Sequence, residues 1–126
     1  MFYLAKFENA RMGVAEPHYV EAGATIQEGM ALVLSGGKLA KCGSTTKPAY
    51  IAMTSGVSGQ KIPVIPVDGN QLYRVPCTAV PASIGIKVTI HSDGLQVTGT
   101  TTDGVATVID LNGATKAGDD VYVKFI

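Results

Sequence analysis

The sequence has no tryptophan, and aromatic residues make up only 6% of its 126 positions. Sugar-binding modules stack their ligands on exposed aromatic faces, so this scarcity weighs against that class. Charged residues are also few, at 16% against the roughly 25% usual for soluble domains. Ten basic side chains balance ten acidic ones. A neutral chain lacks the clustered cationic surface that phosphate binding demands, so nucleic acid is not expected as a partner. No apolar run approaches the roughly 20 residues of a membrane span, so no membrane association is expected. The opening "MFYLAKFENARMG" lacks the uncharged core of a signal peptide, which points to a protein made and used without export.

Cysteine and histidine are just as sparse, at two of each. Cys42 and Cys77 are expected as reduced, buried, small apolar side chains, since two cysteines do not make a disulfide framework. They lie too far apart in sequence for a zinc knuckle of their own. His18 and His91 are the only side chains whose ordinary pKa suits a neutral-pH base, and neither sits in a recognisable motif. Asp110, Asp119 and Asp120 lack the spacing of a calcium loop and read as solvated turn carboxylates. The glycine-rich "SGVSGQK" at 55–61 lacks phosphate-loop spacing. The sequence therefore predicts no enzyme, no metal and no cofactor. A surface so poor in charge has little to keep copies apart, so either part of it is covered in the working state or a large core accounts for the composition.

What the chain has in abundance is glycine, valine, isoleucine and threonine, without a sustained 3.6-residue period. That composition predicts an all-β fold, a compact barrel or sandwich with little helix. Gly36-Gly37, Asp68-Gly69, Asp93-Gly94, Asp103-Gly104 and Asn112-Gly113 punctuate it as turns. "GMALVLSGGKLAKCG" (29–43) predicts a hairpin with Met30, Leu32, Leu34 and Leu39 on one face. "GIKVTIHSDGLQVTG" (85–99) repeats the pattern, with Ile86, Val88, Ile90, Leu95 and Val97 inward. Further strands are expected at 49–54, 61–67, 71–76, 105–111 and 120–126, the last with Val121, Val123 and Phe125 on one face. Pro63 and Pro66 cannot donate ladder hydrogen bonds, so 61–67 is expected at a sheet edge or with a bulge. Short helical turns are allowed only within "AVPASIGI" and "ENARMGVAE".

The two hairpin units suggest a duplicated architecture, a single β domain over 21–126 with pseudo-repeat halves of about 21–75 and 76–126. A third echo joins "GATIQEGMALV" (23–33) to "GATKAGDDVYV" (113–123). Residues 1–20 stand apart, holding Phe2, Tyr3, Phe7 and Tyr19, half of the chain's aromatics. Such a terminus is either a docking arm or the first strand of the body. In the arm reading, deleting residues 2–7 leaves the melting of the β-body almost unchanged while attachment is lost.

"AGATIQEGMALVLSGGKLAKCGSTTKPAYIAMTSGVSGQKIPVIPV" (22–67) resembles the small head-decoration, or cement, proteins of tailed bacteriophages, in which a "GKLAK"-like turn leads through "PAYIA" to a glycine-led apolar strand. The resemblance implies a structural virion protein on the outside of a capsid, often a trimer, bound to the major capsid protein and clamping its subunits. It implies a host-cytoplasmic stage during assembly and a terminal arm that contacts the capsid, here Phe2, Tyr3, Leu4, Lys6 and Phe7. A tail or fibre module is the nearest alternative. "VEAGATIQEGMALVLSGGKLAK" also resembles biotinyl and lipoyl carrier domains, with Lys38 after the Gly-Gly turn, but Gly37 and Leu39 replace the neighbours that family places around its lysine.

Overall fold

The computed structural model describes residues 1–7 and 18–126, with the side chains of Lys6 and Phe7 outside the description. The stretch "ENARMGVAE" lies among the undescribed residues. No described residue is helical; "AVPASIGI" runs as bends and turns. The ten strands are β1 (Tyr3–Phe7), β2 (His18–Glu21), β3 (Ala31–Ser35), β4 (Lys38–Lys41), β5 (Tyr50–Ala52), β6 (Lys61–Pro66), β7 (Gln71–Pro76), β8 (Lys87–Val88), β9 (Ala106–Asp110) and β10 (Asp120–Lys124). They form two five-stranded antiparallel sheets, ordered β1-β7-β10-β9-β8 and β2-β6-β5-β3-β4. The arrangement is a sandwich and not a closed barrel. One parallel bridge, Ala22–Leu39, shows how far the second sheet curls, but no ladder joins its edges.

Alternation explains the core. In the second sheet Leu32, Leu39, Ala52, Ile62 and Val64 point one way and bury against Ala22, Ile26 and Met30. Their neighbours Ala31 and Ile51, with Cys42, point the other way and join the large cluster of Tyr73, Val75, Val88, Ile90, Val108, Val121, Val123 and Phe125 from the first sheet. Strands β3 and β5 are thus buried on both faces, which is why "ALV" and "YIA" read as unbroken apolar runs. Where the chain crosses between sheets, buried Gln71 ties the corner. Its amide donates to Pro66 O at 2.8 Å, and its Oε1 accepts from the Tyr73 hydroxyl at 2.7 Å and from Asp68 N at 3.1 Å.

The first hairpin forms as the sequence predicts, with Gly36 and Gly37 both at positive φ (58° and 78°) and Leu34 opposite Leu39. The second is much reduced. Val88, Ile90 and Val97 are fully buried as expected, but outside β8 the two arms form no regular ladder. They are held by the Ile90–Val97 bridge and by backbone bonds from His91 N to Gln96 O, Thr98 N to Thr89 O and Thr89 N to Thr100 O at 2.8–3.0 Å. The sequence also misplaces β6, which is interior, flanked by β2 and β5. The register shows why proline is tolerated there. β2 pairs with Lys61 to Val64 and β5 with Val64 to Pro66, so Pro63 faces a strand only on the β2 side and Pro66 only on the β5 side.

One small device recurs. Gly29, Gly59, Gly85 and Gly118 all have φ between 77° and 93°, and a strand starts within two residues of each. Their amides donate to Ala52 O, Ala22 O, Val108 O and Cys77 O at 2.7–2.8 Å. In each case the acceptor residue's own N–H returns a bond to the residue after the glycine, at 2.8–3.1 Å. The first two copies face each other, since Ile26 and Gly56 exchange both backbone bonds at 2.8 and 2.9 Å. Gly29 and Gly118, which share this geometry, lie within the echoed stretches 23–33 and 113–123 but one residue out of the register in which the two sequences match.

Candidate docking surface

The N-terminal segment is a strand of the body. β1 pairs with β7 from Tyr3–Arg74 to Phe7–Gln71, and Phe2 N donates to Gly29 O at 2.8 Å. Phe2 is 2% exposed and meets Tyr73 and Phe125 at ring-centroid distances of 6.2 and 5.4 Å. A side chain so placed is a core residue, and its burial argues against the unchanged melting expected of an independent arm. Tyr3 is 51% exposed, with the Arg74 guanidinium 4.9 Å from its ring centroid. Leu4 is half-buried. Lys6 and Phe7 pair through their backbones with Leu72 and Gln71.

β1 is an edge strand, and it borders a groove of about 240 Å³ between the two sheets. Met1, Tyr3 and Leu4 line one side; Ile51, Met53 and Ile65 line the other, with Glu28 beside them. Met1 and Met53 are 41% and 39% exposed. The apolar surface continues over β6 and β2, because Ile65 pairs with Ile51, Pro63 O accepts from Met53 N at 3.1 Å, and Pro63 pairs with Tyr19, itself 67% exposed. Nothing in the sequence marks this surface as one patch. Its two sides come from the first four residues and from 51–65, and only the fold brings them together.

The other polar candidates are occupied separately. His91 Nδ1 lies 3.3 Å from Asp93 Oδ1, within a turn. Burial of Asp93 opposes its ionisation, but hydrogen bonds from Gln96, Leu95 and His91 outweigh it and hold the carboxyl below its ordinary pKa. His18 begins β2 at the surface, its ring 6.0 Å from that of Tyr50. Asp119 accepts from Thr115 N at 2.9 Å, Asp120 pairs with Arg74 at 3.4 Å and Asp110 accepts from Asn112 N at 2.7 Å. These three do not converge, and among the described residues no group of three or more His, Cys, Asp or Glu side chains gathers. Lys38 pairs with Glu21 at 3.4 Å. Both cysteines are unpaired and buried. The Cys42 thiol donates to Thr46 O at 2.9 Å, and burial pushes its pKa up to about 11.

No family model matches the chain, and no curated protein matches it by sequence. Among solved structures it is similar to the crystal structure of the head fiber gp8.5 N base in bacteriophage phi29. The match has a TM-score of 0.62 at 15% identity and covers 87% of this chain and 92% of that one. At that identity the likeness establishes a common fold.

Proposed function

We propose that this chain is a non-catalytic structural protein of a bacteriophage virion, attached to the outside of the head, where it stabilises contacts between major capsid subunits. The observation that carries the reading is the fold, matched over almost the whole of a phage head-fibre base. The pattern of residues 22–67 points independently to phage head-decoration proteins. A dense, short-looped sandwich suits the task, because close-packed interiors transmit load with little deformation. Burial at about 25 cal/mol per Å² accumulates when one contact repeats across an icosahedral shell. In this reading the partner is the major capsid protein, the attached form is a trimer, and neither nucleic acid, membrane nor cofactor takes part.

The same match favours a second reading, in which the chain is the base on which a head fibre stands. Purified protein mixed with phage heads lacking it separates these from every non-virion role. Stoichiometric co-sedimentation is expected, and heads carrying the protein should resist heating and chelation better than bare heads. Attachment without a gain in head stability would favour the fibre base, and no attachment would reject both. Unmodified intact mass of the protein from its native source is expected, and a prosthetic group on Lys38 would restore the carrier alternative.

A further inference from the structure

The groove beside β1 is a place where a partner can enter, and its chemistry restricts the partner. Strand addition to the β1 edge is disfavoured, since the register slips between Leu4–Tyr73 and Lys6–Leu72 and leaves Ala5 unpaired. A bulge of this kind interrupts the row of backbone groups that an added strand would use. The side-chain surface next to it is better suited. Its exposed members are Tyr and Met, residue types concentrated at the centres of protein interfaces, and methionine adapts to irregular shapes. At about 240 Å³ the groove lies below the roughly 300–1,000 Å³ of small-molecule sites, a size suited to a few side chains.

Glu28 supplies the selective element. It lines the groove and forms no ion pair among the described residues. An apolar occupant would strip water from this carboxylate without compensation, and that is costly unless a cation arrives with the occupant. Resting on the attachment reading above, we infer that the groove seats an apolar segment of a capsid-shell protein carrying a lysine or arginine that meets Glu28. The contact is made by side chains across the face formed by β1, β5 and β6, and not by extension of the sheet.

The test uses the full chain, wild-type phage heads stripped of it, and four variants. Met53→Asp and Glu28→Lys should weaken co-sedimentation about tenfold or more, and Glu28→Gln about threefold with a shallower salt dependence. Ile84→Ser, exposed before β8 at the opposite edge of that sheet, should stay within about twofold. Thermal melts of each variant, unchanged because these side chains are exposed, show that the fold survives. Failure of the unaltered protein to attach overturns this inference together with the proposed function. Attachment that withstands both Met53→Asp and Glu28→Lys overturns the inference alone. If only Glu28→Gln behaves as wild type, the paired cation is wrong. Sedimentation equilibrium adds a last outcome: an oligomer of the unaltered chain that Met53→Asp dissociates would mean that a second copy covers the groove.

Discussion

A single methyl group separates the two kinds of glycine in this chain. Gly118 sits at φ 93° with nothing within 4 Å of where a Cβ would stand, so Gly118→Ala meets only backbone strain. It should lower stability by about 1–2 kcal/mol, measured by urea denaturation. Gly29 has a similar φ of 77°, but a Cβ there would lie 2.4 Å from the Met1 side chain. Gly29→Ala should therefore shift Met1 as well, and it should reduce attachment to heads where Gly118→Ala does not. Cysteine chemistry is decided at this scale too. Because burial raises Cys42 to about 11, the folded state keeps its proton where the unfolded thiol, near 8.5, loses it. This contribution is intact below roughly pH 8.5 and disappears as pH rises towards 11. Cys42→Ala should flatten the alkaline limb of a stability–pH profile, and native Cys42 should react slowly with thiol reagents until the protein unfolds.

Strands behave according to where they sit in their sheets. β7 runs over the residues the alternation predicts, 71–76, and β10 buries Val121 and Val123 as expected. A strand with one buried face carries its orientation in its own sequence. β6 does not, because whether a proline is tolerated depends on where the neighbouring strands stop, and those ends are set elsewhere in the chain. β1 is the other case. Phe2, which leads into it, was legible as apolar but not as core, since it reaches Tyr73 and Phe125 only after the sheet has formed. Phe2→Ala should cost about 3 kcal/mol, and removal of residues 2–7 should lower the melting temperature sharply in calorimetry. An unchanged melt would return the segment to the role of an independent arm.

At the scale of the molecule, the two sheets share a core. Ala31, Cys42 and Ile51 from the curled sheet pack within the cluster built by the other sheet, so neither keeps its interior if the other opens. Denaturation should be a single transition, with far-ultraviolet dichroism and the signal of buried Tyr73 changing at the same denaturant concentration. Separated transitions would show two independent modules. The sequence by itself determined the all-β class, the Gly36-Gly37 hairpin and the inward face of most strands, because alternation and turn chemistry are properties of neighbouring residues. The tertiary structure alone decided which sheet each strand entered, that Phe2 belongs to the core, and that Met1 and Tyr3 meet Met53 and Ile65 around one groove. Those outcomes depend on contacts between residues far apart in the chain, and the gain from burying an apolar side chain is non-directional, so it does not specify a partner until the sheets have closed on each other.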